Sequence, residues 1–283
     1  MGNCLVCCKN EIVHMVAIKF PHGVHGMVAD AAVEYPVFSK IDDINSWIQS
    51  LYHPSTNPYE KWAIYNDQAP NHVTKKGHCK GIVTWNNQTI SWLCHSVPHF
   101  PDQFTANHVS LIYPNECIYG QSFHYVSFPY TEQLITSIID QLYVMHANIY
   151  CSNADVSLRR QTKMFCKLAL TPKITHIAKS PNYHVDIYEE LALSTKAVWH
   201  VESWIRGQRV ADTKNVINIR GISIDDISIH YEESQDHSKW AVTDGEFFMG
   251  DLNRMLSQHN RGGGGFHCIH TEMSILLKKI IKE

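Results

Sequence analysis

The feature that most constrains this 283-residue chain is a His-x-Lys triplet that occurs twice, each time just before an apolar run. The triplets run from His78 to Lys80 and from His237 to Lys239, 159 positions further along. Because side chains alternate along an extended backbone, the His and Lys of each triplet project from one face. Such a pair can contact one phosphate. The spacing favours a duplicated unit whose copies meet around one site, with coincidence as the alternative.

Strand and helix patterns alternate along the chain. Apolar runs predict strands at 12–18 and 62–65 and a hairpin over 81–93, whereas three- and four-residue spacing predicts helices at 41–51, 131–146 and 271–281. No apolar run reaches the roughly 18 residues that a membrane span needs, so we expect no membrane insertion. No low-complexity linker interrupts the chain. We therefore expect a mixed α/β (α+β) protein with a single domain over residues 1–283.

Histidine is the unusual component of the composition. With 24 Lys+Arg, 27 Asp+Glu and neutral histidines the net charge is −3, but the chain holds 19 His. Full protonation near pH 5, below the reference pKa of about 6.5, would raise the charge to at most +16. We expect a chain that is mildly acidic at neutral pH and attracts polyanions in acid.

Cysteine usage fits a secreted protein better than a cytosolic one. The number of cysteines is odd, so at least one has no partner within the chain. The nine positions are 4, 7, 8, 79, 94, 117, 151, 166 and 268. No signal peptide is visible at the amino terminus, which leaves two alternatives: a mature secreted chain, or an intracellular chain acylated near Gly2. Val6 disfavours acylation, because the myristoylation pattern has Ser or Thr there.

Three further motifs have a local interpretation. Asn87 begins an Asn-Gln-Thr glycosylation acceptor in a polar turn. Cysteines at 4 and 7 and the His-Cys-Ile-His run at 267–270 lack a second pair at zinc-site spacing, so we expect no metal and no cofactor. Arg261 precedes four glycines without the Lys-Ser/Thr ending of a nucleotide-binding loop, which predicts a tight turn with close backbone approach.

Motifs in both halves resemble deoxyribonuclease II. Those of the first half are Trp62-Ala63-Ile64-Tyr65-Asn66-Asp67-Gln68, Gly77-His78-Cys79-Lys80-Gly81, Trp92-Leu93-Cys94-His95-Ser96-Val97-Pro98 and Tyr119-Gly120-Gln121. Those of the second half are His237-Ser238-Lys239-Trp240, Gly250-Asp251-Leu252-Asn253-Arg254 and Arg261-Gly262-Gly263-Gly264. The resemblance spans about 16–277. It implies a phospholipase D-like fold of two pseudo-symmetric halves, 12–150 and 151–283, each a mixed β-sheet flanked by helices with one His-x-Lys.

The resemblance also implies roles for the two triplets. His78 would attack phosphorus to form a phosphohistidine, and His237 would protonate the leaving 5′ oxygen and then activate water. Lys80 and Lys239 would hold the phosphate oxygens, so that no metal is needed. The products would be a 3′-phosphate and a 5′-hydroxyl. Pseudo-symmetry leaves the choice of nucleophile open. The other 17 histidines are expected to form a titratable coat, which gains positive charge in acid and attracts the DNA polyanion.

Four further residues are candidate substrate-binding groups by the same resemblance. His95, Ser96, Asp251 and Asn253 follow the two triplets where the superfamily keeps groups that contact phosphate or orient histidine. For Asp251 and Asn253 the alternative is a turn before the last helix. Cys79 stands where the family has Thr, and we expect its side chain to point away from the phosphate.

The family's disulfide pattern is only partly kept, because Ala241 and Met249 stand where its members carry cysteines. Disulfides are expected from the resemblance, but their pairing stays open. It also implies double-stranded DNA as the partner, a homodimer, and a secreted or lysosomal location.

Three functions are in contention. The first is a metal-independent acid endodeoxyribonuclease, and the second is a relative that binds DNA or a host partner with weak or no catalysis. Retention of all four His-x-Lys residues favours the enzyme. A lipid phosphodiesterase is less favoured, because the Lys-to-Asp spacing that lipid enzymes show after each triplet is lacking.

Overall fold

Two large β-sheets organise the protein. The computed structural model describes residues 12–52, 59–106, 108–156 and 162–282. The amino-terminal expectations, including the cysteines at 4, 7 and 8, lie outside these residues. The mixed α/β class expected from the sequence is confirmed.

The first sheet has eight strands in the order β12-β4-β7-β8-β11-β1-β2-β3, and each of its pairings is antiparallel. The strands of this half are β1 Val13–Lys19, β2 Gly26–Asp30, β3 Ser39–Ile41, β4 Lys61–Asn66, β5 Gln68–Ala69, β6 His72–Val73, β7 Lys80–Trp85, β8 Thr89–His95, β9 Phe104–Thr105, β10 His108–Val109, β11 Gln121–Pro129 and β12 Ile149–Ser152. Its helices are α1 Ile44–Tyr52, α2 Pro114–Cys117 and α3 Glu132–Val144.

The second sheet has seven strands in the order β13-β14-β21-β20-β19-β15-β16, and it is mixed because β15 and β16 run parallel. The strands of this half are β13 Phe165–Ala169, β14 Ile174–Lys179, β15 Trp199–Ser203, β16 Val216–Asn218, β17 Gly221–Ile224, β18 Ile229–Glu232, β19 Lys239–Val242, β20 Glu246–Gly250 and β21 Gly263–Ile269. Its α-helices are α4 Ile187–Thr195 and α5 Thr271–Lys279, and short 3-10 turns cover Asp225–Ile227, Glu233–Gln235 and Leu256–Asn260.

The five central strands have the same connectivity in both sheets. In the first sheet β4, β7, β8, β11 and β1 lie side by side, and in the second β15, β19, β20, β21 and β14 lie in the same order. Along the chain, α1 lies between β1 and β4 and α4 lies between β14 and β15, while α3 follows β11 and α5 follows β21. β12 still belongs to the first sheet, so the chain leaves that sheet after Ser152. The division at 150/151 stays a prediction.

The two sheets share one hydrophobic core. Trp92 of β8 is fully buried, and its ring centroid lies 4.2 Å from that of His176 on β14 and 5.0 Å from that of Phe266 on β21. The Trp92 indole also donates to the hydroxyl of Tyr65 at 2.9 Å. Cys79 is completely buried in this core cluster. Contacts between β8 of one half and β14 and β21 of the other fix how the halves sit together.

The predicted elements form close to the expected positions, with one shift. The helix expected at 41–51 begins at Ile44, because β3 takes the residues up to Ile41. Asp43 causes the shift, since its carboxylate accepts the backbone N–H of Asn45 and the hydroxyl of Ser46 and so caps the first turn. Within the described segments, no helix is long and apolar enough to cross a membrane.

Candidate active site

Both His-x-Lys triplets lie at the start of equivalent central strands. Lys80 is the first residue of β7 and Lys239 the first of β19, with His78 and His237 two residues before them. Each histidine is anchored by the opposite half. The His78 N–H donates to the carbonyl of Gly262 at 2.7 Å, and the His237 N–H donates to the carbonyl of Gly120 at 2.9 Å. The sheet connectivity therefore brings the triplets together at the junction of the halves.

Glycines allow this close approach. A Cβ on Gly262 would lie 2.0 Å from the carbonyl oxygen of Met145, and a Cβ on Gly120 would lie 2.5 Å from a carboxylate oxygen of Asp236. The expected tight turn at 262–265 is wrong, because β21 Gly263–Ile269 is an extended strand. The expected close approach is what the glycines provide.

Asp67 organises the first triplet, and the sequence reasoning missed it. One carboxylate oxygen accepts from His78 Nδ1 and from Arg261 Nη2, each at 2.9 Å, and the other accepts from Lys80 Nζ at 2.5 Å. All three partners are nitrogen donors, and Asp67 is 2 % exposed. In the sequence, Asp67 appears only as a member of the family-like motif 62–68. The sheet shows its place, because Asn66 pairs with Lys80 and Asp67 is the next residue.

The charges around Asp67 set the local pKa values. Burial raises the pKa of Asp67, but the nearby Lys80 and His78 outweigh it, so the pKa lies well below its usual range. Burial and the positive charge of Lys80 lower the pKa of His78 to about 4, against the opposite effect of Asp67. His78 is therefore neutral at pH 5. With Nδ1–H bound to Asp67, its Nε2 holds the lone pair and has no partner among the described residues.

His237 is held by aromatic rings instead of a carboxylate. Its imidazole stacks on Tyr119 with centroids 4.0 Å apart and contacts the Trp204 ring at 3.8 Å. The guanidinium of Arg206 lies 4.6 Å from the centroid of Trp204. Burial, followed by Lys239, Lys80 and Arg206, lowers the pKa of His237 to about 2 in the free site. Within the described chain its Nε2 contacts no hydrogen-bonding group.

This difference breaks the pseudo-symmetry of the site. Asn66 pairs with Lys80 on the strand before the first triplet, and Ser203 pairs with Lys239 on the strand before the second. The residues that follow are Asp67 and Trp204, which therefore occupy equivalent positions. One histidine has a carboxylate on Nδ1 and the other has a ring against its face.

The two lysines differ in the same way. Lys80 is paired with Asp67, whereas the Lys239 ammonium donates to the carbonyl of His237 at 2.6 Å. Burial and the charge of Lys80 lower the pKa of Lys239 to about 7, although Asp251, Asp67 and Asp236 oppose the shift. Lys239 is therefore charged in acid and loses its charge as the pH rises through about 7.

Among the four candidate substrate-binding residues, His95 faces the two lysines. Burial, then Lys80 and Lys239, hold its pKa well below the usual value. Its Nδ1 accepts the backbone N–H of Val97 at 3.2 Å, so the proton lies on Nε2. Nε2 has no other partner in the described part of the protein, and it can donate to a phosphate oxygen.

Asp251 holds the backbone of the opposite triplet and contacts neither triplet histidine in the described hydrogen bonds. Its carboxylate accepts the N–H of Lys80 at 3.4 Å and that of Gly264 at 3.3 Å. Burial raises its pKa to about 7, although Lys80 and the two N–H donors oppose this. The carboxylate that contacts His78 is Asp67. A contact between Asp251 and phosphate stays a prediction.

Ser96 holds the equivalent position in the first half. Its hydroxyl donates to Gln121 at 2.6 Å and accepts the N–H of Ser122 at 2.9 Å, while the Ser122 hydroxyl accepts the N–H of Lys239 at 3.2 Å. Each half thus supports the lysine backbone of the other. Asn253 is buried, its backbone carbonyl accepts from Met255, and its described contacts include none of the four His-x-Lys residues.

The histidine coat is smaller than the composition indicates. Seven histidines have a lowered pKa, with burial as the largest cause in each case: His14, His78, His95, His124, His176, His200 and His237. The six other than His200 stay largely neutral near pH 5, so at most 13 of the 19 can add charge there and the upper bound falls from +16 to +10. Composition could not reveal which histidines are buried.

Two processing expectations concern the surface and the cysteines. Asn87 is exposed in the turn between β7 and β8, where an attached glycan would meet solvent. The six cysteines of the described residues are Cys79, Cys94, Cys117, Cys151, Cys166 and Cys268, and all six are free thiols. The expected disulfides therefore do not form among these six.

Comparison with known proteins finds deoxyribonucleases among the relatives of this chain. The family profile described as Deoxyribonuclease II matches residues 32–283. Mouse deoxyribonuclease-2-beta is 31 % identical, with 83 % of this chain and 73 % of the relative covered. Deoxyribonuclease-2 of Caenorhabditis elegans is 30 % identical over 72 % of this chain and 60 % of the relative. Plancitoxin-1 of Acanthaster planci is 28 % identical over 71 % and 64 %.

The junction of the halves thus brings together two histidines and two lysines from equivalent strands. The chain belongs to the deoxyribonuclease II family. It spans less than two thirds of the length of the nematode and starfish relatives.

Proposed function

We propose that this protein is a metal-independent acid endodeoxyribonuclease that cleaves double-stranded DNA to 3′-phosphate and 5′-hydroxyl ends. The observation that carries the proposal is the asymmetric pair of histidines at the junction of the halves. His78 has Asp67 on Nδ1, and His237 has aromatic rings on its faces. This asymmetry supports different roles for two residues that the sequence leaves equivalent.

His78 is the nucleophile. Asp67 accepts its Nδ1–H, so the Nε2 lone pair is available for phosphorus and the carboxylate stabilises the imidazolium of the phosphohistidine. The new bond joins Nε2 to phosphorus, and the bond from phosphorus to the 5′ oxygen breaks. Lys80, Lys239 and the Nε2–H of His95 stabilise the charge on the non-bridging oxygens.

His237 is the general acid. In the free site its pKa is about 2, chiefly because of burial and then Lys239 and Lys80. A bound phosphodiester neutralises the lysine charges, so the pKa of His237 rises and the imidazole gains a proton. It gives that proton to the departing 5′ oxygen, and it then takes one from the water that hydrolyses the Nε2–P bond.

The titrating groups give an acidic working range. His78 must be neutral to attack, so the rate falls as the pH drops through its pKa of about 4. Lys239 must be charged to hold phosphate, so the rate falls as the pH rises through about 7. Protonation of His237 in the complex also favours the acidic side. We therefore expect the highest rate between these limits.

The proposed substrate, location and glycosylation site rest on the names of the relatives, on the working pH and on the exposure of Asn87. The relatives are named deoxyribonucleases, which supports DNA as the substrate. An acidic working range suits a lysosomal or secreted enzyme, and exposed Asn87 is the glycosylation site we propose. We also propose a homodimer and the pseudo-repeats 12–150 and 151–283.

Cleavage of supercoiled plasmid at pH 5 in excess EDTA tests the function. We expect nicked and linear products in EDTA, with ends that polynucleotide kinase labels without prior phosphatase treatment, because the 5′ end is a hydroxyl. His78→Ala and His237→Ala should each abolish cleavage. The matched control is His184→Ala, since His184 is exposed and hydrogen-bonds only Asn260. Dependence on a divalent metal contradicts the mechanism, and DNA binding without cleavage by the wild type supports the binding-only alternative.

A further inference from the structure

Three metal-binding side chains lie together in the core between the sheets: His14 on β1, His124 on β11 and Cys268 on β21. Nε2 of His14 is 2.6 Å from Nε2 of His124 and 3.8 Å from Sγ of Cys268. All three donor atoms lie within 4.8 Å of one another. The residues are 4 %, 1 % and 1 % exposed. In the part of the chain that the structure describes, no other such group of three is found.

This cluster is separate from the proposed active site. β11 starts at Gln121 beside the active site, and His124 is three residues further along, which is about 10 Å at 3.3 Å per residue. On β21, Cys268 is four residues beyond Gly264, the residue that contacts Asp251. The cluster therefore lies further along the strands than the phosphate-binding groups, in the direction away from them.

The donor set fits a tetrahedral zinc-like ion. With bond lengths of about 2.0–2.1 Å to nitrogen and about 2.3 Å to sulfur, tetrahedral ligands are separated by about 3.3 Å for N···N and about 3.6 Å for N···S. The distance from His14 to Cys268 is close to the second value. The two Nε2 atoms would have to separate by about 0.7 Å from their hydrogen-bonded positions. Imidazole and thiolate together favour Zn²⁺ over Mg²⁺ or Ca²⁺.

The surroundings orient the ligands and give access. Ring stacking holds the imidazoles, because the His14 centroid lies 4.8 Å from that of His124 and 6.0 Å from that of Phe247. His14 and Cys268 also line a largely apolar surface pocket of about 350 Å³, walled by Ile12, Pro172 and Ile174 among others. An ion can therefore enter from solvent, and a water molecule can occupy the fourth ligand position.

We propose that His14, His124 and Cys268 form a structural binding site for Zn²⁺ or a similar divalent ion. The ion replaces the hydrogen bond between the two imidazoles. The proton that one Nε2 carries in that bond moves to Nδ1 of the same ring, so that both Nε2 lone pairs bind the ion, and the Cys268 thiol proton passes to solvent as the metal–sulfur bond forms. Because β1 and β11 belong to one half and β21 to the other, the ion would cross-link the two sheets. It has no part in the proposed cleavage chemistry.

Titration of the reduced full-length protein with Co²⁺ at neutral pH tests this site. We expect one equivalent to give the intense visible bands of tetrahedral cobalt with a thiolate-to-cobalt absorption in the near ultraviolet, and Zn²⁺ to displace it. Cys268→Ser should remove the thiolate absorption, and His124→Gln should weaken binding at least tenfold. Cys166→Ser is the control, because Cys166 is a free thiol outside the cluster. A variant with serines at positions 4, 7 and 8 should keep the site.

A spectrum unchanged by Cys268→Ser, or lost only when positions 4, 7 and 8 are changed, would overturn the proposal. Absence of stoichiometric binding to the wild type would do the same. If the variants fail to fold, X-ray absorption of the zinc-loaded wild type decides the question. We expect a first shell of one sulfur and two imidazoles, and a sulfur-free or multi-sulfur shell would contradict the assignment.

Discussion

Asp67→Asn should separate the chemistry of the site from its architecture. Asp67 offers two anionic oxygens to three donors, on His78, Lys80 and Arg261. Asparagine keeps the shape of the side chain but offers only one neutral oxygen. Its amide NH₂ must therefore face either Lys80 or the pair of His78 and Arg261. If it faces the imidazole, Nδ1 becomes the acceptor and the proton moves to Nε2, the nucleophilic atom. We expect kcat to fall by about 10³- to 10⁴-fold, or about 4–5.5 kcal/mol of transition-state stabilisation.

The substitution should also destabilise the fold. Lys80 and Asp67 are each 3 % exposed, so solvent does not screen the pair. Leaving Lys80 without its anion costs about 3–5 kcal/mol. The activity must therefore be measured per folded molecule, by plasmid nicking at pH 5 with circular dichroism as the check on folding.

Asp186→Asn is the matched control, because Asp186 is a buried carboxylate paired with Arg254 at 2.9 Å and contacts none of the His-x-Lys residues in the described hydrogen bonds. It should lower stability while the kcat of the folded enzyme stays within about threefold of wild type. If Asp67→Asn keeps kcat within that same range, the proposed role of Asp67 is refuted.

Three further outcomes are expected. Arg254→Ala leaves the carboxylates of Asp186 and Glu189 without their cation and should lower the free energy of unfolding by about 3–5 kcal/mol in urea titrations; a loss below 1 kcal/mol would contradict this. Gly262→Ala places a methyl group 2.0 Å from a backbone oxygen, so its yield of folded protein should be far below that of Gly207→Ala, which meets only a side-chain sulfur at 3.5 Å. DNA affinity of His78→Ala should rise as the pH falls from 7 to 5, as measured by fluorescence anisotropy, because Lys239 and surface histidines gain charge. An affinity independent of pH would exclude the coat.

The sequence indicated the two triplets, the alternation of strands and helices, and the use of glycine for close approach. Local patterns carry this information, since alternation and spacing are properties of neighbouring residues. The role of Asp67 was not predicted, because its partners His78 and Lys80 lie at the start of the neighbouring strand and pairing between strands is not visible in a single sequence. The contact of Asp251 with the backbone of the other half was hidden for a related reason, because it joins residues far apart in the sequence. Its role toward phosphate stays a prediction.

Burial was the second property that the sequence did not reveal. The composition counts buried and exposed histidines alike, so the count of 19 overstated the positive charge that the protein can gain in acid. The same limit hid the cluster of His14, His124 and Cys268, whose donors come from three strands. The spacing rules for zinc sites detect ligands that are close in sequence, and these are not.

The central claim is that His78 forms the bond to phosphorus and His237 serves as the acid. Thymidine 3′-(4-nitrophenyl phosphate) tests it, because nitrophenolate leaves without protonation. With His237→Ala at pH 5, we expect a burst of one nitrophenol per site and a thymidine 3′-phosphoryl adduct on His78 by mass spectrometry. His78→Ala should give neither. An adduct on His237, or turnover by His78→Ala, would contradict the account.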